Sequence, residues 1–237
     1  MTTFVLVHGA WHGAWCWDKV VPLLERAGHR VVAIDLPGHG RDKTPLKDVT
    51  LAAYAARVVE ALKAQPEPSA LVGHSMGGAA ISQAAERAPD RISTLVYLTA
   101  FLLRDGESLL QVASGDADAL VLPNLVQAPD GSSATVREDA LREVFFGGCP
   151  DADVERARRL LVPQATAPFA TPLHVTEANF GRVPRVYIEC LRDRAISPAV
   201  QKQMYTATPC RRVISMDTDH SPFFSAPREL AEHLARL

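Results

Sequence analysis

The pentapeptide Gly73-His74-Ser75-Met76-Gly77 constrains this chain more than any other feature. It follows Ser69-Ala70-Leu71-Val72, an apolar run that reads as a short buried strand. It leads into Met76 through Ala88, a small-residue stretch that reads as a helix able to pack closely on that strand. A strand that turns at once into a helix forces the residue between them onto a sharp and unfavourable backbone corner. Side chains at positions 73 and 77 would collide across such a crossing, so glycine at both is what the geometry needs. Ser75 is then pushed out at the carboxyl edge of a sheet, where a hydroxyl can serve as a nucleophile. Without its flanks the same pentapeptide is as compatible with a chance match in a Gly/Ser-rich loop as with a nucleophile corner.

The rest of the chain supplies the sheet. Phe4-Val5-Leu6-Val7 is a continuous apolar run, followed by an amphipathic stretch from Trp17 to Ala27 and by the strand-like Arg30-Val31-Val32-Ala33-Ile34. A helix over 51–64, the strand 69–72, the helix 76–88 and a strand over 92–98 continue the rhythm. Alternation of this kind predicts an α/β fold, a mostly parallel, doubly wound sheet of about six strands with helices on both faces. After Phe101 the rhythm breaks. Asp, Gly, Ser and Pro become frequent, and only 137–146 and 154–161 look helical. Residues 104–181 are therefore expected to form a mainly helical cap over a core of 1–103 and 182–237. A strand over 185–190, a helix near 198–205, the strand 211–215 and a final helix over 227–237 complete the core.

Charge and cysteines exclude several function classes. The 237 residues carry 25 Lys plus Arg against 27 Asp plus Glu, so no basic stripe is available to a nucleic acid. The apolar stretch near the amino terminus has no positive region before it and is too short for a signal peptide or a membrane span, so the expectation is a cytoplasmic protein without a membrane partner. Cys16, Cys149, Cys190 and Cys210 are scattered without a C-x-x-C pair, which points to no metal site and no disulfide framework. No cofactor is expected, and a homodimer is compatible with the composition.

A serine hydroxyl is a poor nucleophile at neutral pH and needs a general base with a group to orient it. His220 is the best-placed base of the eight histidines, because it lies just beyond the strand 211–215 at the same sheet edge as Ser75. Asp193, Asp217 and Asp219 compete as the orienting acid. Asp193 is favoured: it follows Cys190 by the few residues a strand-to-helix loop allows, whereas Asp217 and Asp219 lie too near His220 in sequence to approach its ring easily. Asp219 is expected to shape the turn that presents His220. A developing oxyanion needs fixed donors, and the backbone N–H groups of Met76 and of Ala10, in the loop after the first strand, are the candidates. Gly9 is expected to let that loop turn. His8 and His74 sit against the corner and are expected to make structural hydrogen bonds. Trp11, Phe101, Leu102, Phe146 and Phe169 are candidates for apolar pocket walls, and each is equally compatible with ordinary core.

Taken together, His8-Gly9-Ala10-Trp11-His12-Gly13-Ala14-Trp15, Asp35-Leu36-Pro37-Gly38-His39-Gly40, Gly73-His74-Ser75-Met76-Gly77-Gly78, Asp193 and Asp219-His220 resemble the α/β-hydrolase superfamily along nearly the whole chain. The first block and the serine corner look like the branch that holds plant methylesterases, hydroxynitrile lyases and bacterial carboxylesterases. Leu141-Arg142-Glu143-Val144-Phe145, Val186-Tyr187-Ile188-Glu189, Ala199-Val200-Gln201-Lys202-Gln203-Met204 and His220-Ser221-Pro222 are similar to bacterial pyrethroid-hydrolysing carboxylesterases. The resemblance implies a serine hydrolase that cleaves small to medium hydrophobic carboxylic esters through an acyl-enzyme. The lyases of the branch carry threonine and lysine where this chain has Gly9 and Ser221, which favours ester hydrolysis over cyanohydrin cleavage. A lyase, a carbon–carbon bond-cleaving enzyme on the same site, and a ligand-binding receptor or carrier that keeps the triad are the alternatives.

Overall fold

The computed structural model describes residues 1–237. The chain opens with β1 (Thr3–Val7), α1 (Val21–Arg26) and β2 (Arg30–Ile34), followed by α2 (Leu51–Lys63), β3 (Ser69–Ser75), α3 (Gly77–Arg87) and β4 (Ile92–Ala100). Next come α4 (Leu109–Ser114), β5 (Leu125–Gln127), β6 (Ser133–Val136), α5 (Leu141–Phe145), α6 (Asp151–Leu160), β7 (Gln164–Ala165) and α7 (Ala167–Ala170). The last elements are β8 (Arg185–Cys190), α8 (Pro198–Ala207), β9 (Arg212–Met216), α9 (Pro222–Ser225) and α10 (Pro227–Ala235). Six strands form one sheet in the order β2-β1-β3-β4-β8-β9, every neighbouring pair parallel. All six carboxyl ends therefore lie along one edge, and the loops that leave it meet there.

The elements form for local reasons that also place the site. β1 and β3 are buried along their whole lengths because each has a strand on both sides and helices on both faces. α2 starts where the Thr50 hydroxyl accepts the Ala53 N–H at 3.0 Å, and it buries Leu51, Tyr54, Ala55, Val58 and Leu62, the spacing of one helical face. α3 brings Gly77, Gly78, Ala79 and Ala80 against the sheet, and their small size permits a close approach. A Cβ on Gly73 would lie 2.8 Å from the Gly77 carbonyl oxygen, and one on Gly77 would lie 2.8 Å from that of His8.

β4 carries an irregularity at its carboxyl end. Its register with β3 runs to His74 opposite Leu98, and the next pair is Ser75 opposite Ala100, so Thr99 bulges out of the ladder. Thr99 has φ +36°, a left-handed value that typically costs a β-branched residue about 1–3 kcal/mol. On the other side, pairing with β8 stops at Leu98 opposite Ile188. The Tyr187 hydroxyl takes over there, accepting from the Ala100 N–H at 3.2 Å and donating to the Ala100 carbonyl at 2.8 Å.

The stretch between β4 and β8 adds no strand to the main sheet. Beside its short helices it holds a three-stranded antiparallel sheet, β5-β6-β7, which the mainly helical expectation for this segment did not include. Strands of two to four residues are too short to display an alternating pattern. The helix expected over 137–146 shortens to α5, preceded by a 3-10 turn at Glu138–Ala140. α4, a helix the sequence reading did not include, begins with a capping box made by Ser108 and Gln111.

Candidate active site

Ser75 ends β3 with φ +53°, the strained corner that the pentapeptide predicts. The two loops that answer it are stitched together: Leu191 N–H donates to Met216 O and Arg192 N–H to Thr218 O, both at 2.9 Å. Asp193 lies in the loop after β8 and His220 in the loop after β9. His220 Nδ1 is 2.6 Å from Asp193 Oδ2, with both side chains buried. A carboxylate only accepts, so Nδ1 carries the proton and Nε2 is left as the basic nitrogen. Asp193 Oδ1 accepts the N–H groups of Ala195 at 2.6 Å and Ile196 at 3.0 Å, and Oδ2 also accepts the Thr99 hydroxyl. The hydrogen bonds of His220 are to Asp193 and, through its carbonyl, to His74, so Nε2 and Ser75 Oγ are not yet joined in this resting geometry. Such bonds commonly tighten only when substrate is bound.

Asp219 accepts the Ser221 N–H at 3.1 Å and the Ser225 hydroxyl at 2.8 Å, which fixes the turn behind His220 as expected. It also accepts the Gly148 N–H at 2.8 Å and the Cys149 thiol at 3.2 Å, tying that turn to the segment after α5. Asp217 is exposed and pairs with Arg192 at 3.1 Å.

Three buried histidines around the site, His8, His12 and His74, make structural contacts. His74 donates from Nε2 to the His220 carbonyl at 2.8 Å. His8 accepts the Leu36 N–H on Nε2 at 3.0 Å, so its Nδ1 is the donor to Gly9 O at 2.7 Å. Burial holds both rings well below the ordinary histidine pKa, helped by the His39 ring beside His8 and the His220 ring beside His74. Burial likewise lowers His12 to about 4. All three stay neutral around pH 7.

A narrow cavity of about 40 Å³ opens on Ser75, and the backbones of Ala10 and Met76 line it. Neither of their N–H groups is used in a bond elsewhere in the chain. Met76 also precedes α3, whose amino end favours negative charge. The loop after β1 turns at Trp11, with φ +62°, rather than at Gly9. Gly9 is needed for proximity instead, since a Cβ there would lie 2.7 Å from Ser75 Cβ. Trp11 is pinned by its Nε1–H to Ala134 O at 2.8 Å, and it lines the cavity with Phe101 and Phe169. Leu102 and Phe146 do not line it: Leu102 is buried in the core, and Phe146 packs on His12 and Phe224. Phe145, Leu109, Val121 and Ile196 occupy wall positions that sequence reasoning missed. Ser75 is the only residue of the lining that is not hydrophobic. A larger open groove, about 620 Å³, lies elsewhere beside Trp15, Asp35 and Arg41 and contains none of these groups.

A parallel sheet with a serine corner, an aspartate–histidine pair at the same edge and two free backbone donors defines an α/β hydrolase. The chain belongs to that family: the model for the alpha/beta hydrolase family matches residues 4–233. Its relatives include a pyrethroid hydrolase from Sphingobium wenxiniae, 39% identical over 99% of this chain and 87% of that protein. Methylesterase 2 from Arabidopsis thaliana is 36% identical over 99% of this chain and 95% of that one. Among solved structures, a pyrethroid hydrolase from Sphingobium faniae superposes with a TM-score of 0.89 at 36% identity, covering 99% of this chain and 96% of the other. A polyneuridine aldehyde esterase variant gives 0.89 at 29% identity, over 99% and 98%.

Proposed function

We propose that this carboxylic ester hydrolase acts on neutral, hydrophobic esters of small to medium size, with Ser75 as nucleophile, His220 as base and Asp193 as the acid that orients it. The observation that carries this reading is a serine at the floor of an otherwise apolar cavity, flanked by the unused N–H groups of Ala10 and Met76. Ser75 Oγ attacks the ester carbonyl while His220 Nε2 takes its proton, and the two N–H groups hold the developing oxyanion. His220 then protonates the departing alcohol, and water repeats the sequence on the acyl-enzyme. A substrate bearing its own charge would lose hydration with no polar side chain to replace it.

The cavity is narrow, and more than half of its lining comes from 104–181, so ester entry is expected to be eased where those walls give way. Within this reading 104–181 is a cap whose α4, carrying the half-exposed Leu110, is the wall closest to solvent. Four free cysteines suit a cytoplasmic location. The test is hydrolysis of a panel of esters graded in acyl and alcohol size, run beside cyanohydrins and carboxylate-bearing esters. Neutral aliphatic and aryl esters are expected to turn over fastest, and Ser75→Ala is expected to lower kcat by at least about a thousandfold. A variant that retains near-wild-type turnover, or a preference for cyanohydrins, overturns the reading.

A further inference from the structure

The Asp193 carboxylate is held at both ends by different parts of the molecule. Oδ1 takes two N–H groups from its own loop, at Ala195 and Ile196. Oδ2 takes the His220 ring and one further donor, the Thr99 hydroxyl, which comes from the neighbouring strand β4. Thr99 is fully buried, and its hydroxyl reaches Asp193 because it bulges out of register between Leu98 and Ala100. The Tyr187 hydroxyl locks the bulge by satisfying both backbone groups of Ala100. A glycine or asparagine would adopt φ +36° with less strain than a β-branched residue. What threonine adds at that position is the hydroxyl.

We infer that Thr99 is a positioning residue of the proposed triad, its hydroxyl fixing the rotation of the Asp193 carboxylate so that Oδ2 faces His220 Nδ1. This rests on the assignment of Asp193 as the acid. The hydroxyl proton goes to Oδ2, so Oδ2 meets two donors, and the imidazole can pair there only with Nδ1 protonated. Nε2 is thereby kept free of a proton and available as the base. Without the hydroxyl, Oδ2 keeps only the His220 ring as partner, and the base loses part of its fixed orientation in the step that needs it.

The experiment compares Thr99→Val, Thr99→Ser and Thr99→Gly in steady-state hydrolysis of 4-nitrophenyl butyrate, with the wild-type protein and Ser75→Ala beside them. A hydrogen bond to a charged group is worth enough that Thr99→Val is expected to lower kcat by about tenfold or more, with KM changed by less than about twofold. Thr99→Ser keeps the hydroxyl and is expected to recover most of the rate. Thr99→Gly relaxes the backbone but lacks the hydroxyl, and is expected to be as slow as the valine variant. If valine prevents folding, Thr99→Ala takes its place in the comparison. In an Asp193→Ala background, Thr99→Val is expected to add nothing, because it acts through a carboxylate that is gone. Wild-type kcat in Thr99→Val, full activity in Thr99→Gly, or losses that multiply with Asp193→Ala would each overturn the inference while Ser75→Ala remains inactive. An active Ser75→Ala would instead remove the esterase assignment itself, and the inference with it.

Discussion

Gly73 has no room for a methyl group. Its Cβ would meet the Gly77 carbonyl oxygen at 2.8 Å and Ile81 Cδ1 at 2.9 Å, and the first of these is backbone that cannot swing aside. Gly73→Ala is therefore expected to destabilise the protein by about 1–3 kcal/mol, the usual cost of overpacking. Urea denaturation reads this as a lower midpoint at unchanged slope, and an unchanged midpoint would show that the corner is looser than its geometry. At this scale placement was legible wherever a residue type is expected at a strand end. Ser75, Asp193 and His220 were expected at one sheet edge, and the structure puts Ser75 at the end of β3 and pairs Asp193 with His220 in the loops after β8 and β9. Wall residues were legible only by adjacency, and neighbours diverge: Phe101 and Phe145 face the cavity while Leu102 and Phe146 do not. Thr99 left no trace in the sequence, because a bulge depends on how two strands register and not on any residue signature.

At the scale of elements, the carboxyl end of β4 depends on β8. The Tyr187 ring is fully buried and stacks on Tyr97, its register partner, with ring planes 4° apart. Burial pushes its phenol well above the ordinary range, and the charge of Asp193 adds to this, so the hydroxyl keeps its proton and can donate. Tyr187→Phe preserves the stack and removes both bonds to Ala100. The buried N–H and carbonyl left behind are expected to cost about 1–3 kcal/mol, measured by urea denaturation. The same variant frees the bulge that presents Thr99, so ester turnover is expected to fall with stability. Full stability with full activity would mean that water replaces the hydroxyl. The strands of the main sheet were legible because a strand buried on both faces must be an unbroken apolar run, as in Phe4-Val5-Leu6-Val7 and Ala70-Leu71-Val72. The small sheet β5-β6-β7 was not, since its shortest strand has two residues and owes its pairing to distant partners such as Ala134 opposite Gln164.

Across the whole molecule, the site is backed by histidines that the fold keeps uncharged. Burial lowers His8, His12, His39 and His74 below the ordinary value of 6.5, and for His12 the result is about 4. An unfolded chain protonates these rings near pH 6.5, while the folded chain resists until a lower pH. Between those limits the unfolded state binds more protons, so stability is full above about pH 6.5 and declines as the pH falls toward the folded values. His12 alone accounts for on the order of 3 kcal/mol, fully lost once the pH drops below about 4. Calorimetry from pH 8 down to pH 4.5 is expected to show a melting temperature that is level above neutrality and falls steeply below about pH 6. His12→Asn keeps a donor for the Ala10 carbonyl but cannot titrate in this range. It is expected to shallow the slope of stability against pH between 5 and 6 by about one proton, near 1.4 kcal/mol per pH unit. A wild-type profile that stays flat to pH 5 would mean that these rings take up protons in place, and the neutral scaffold behind His220 would have to be redrawn.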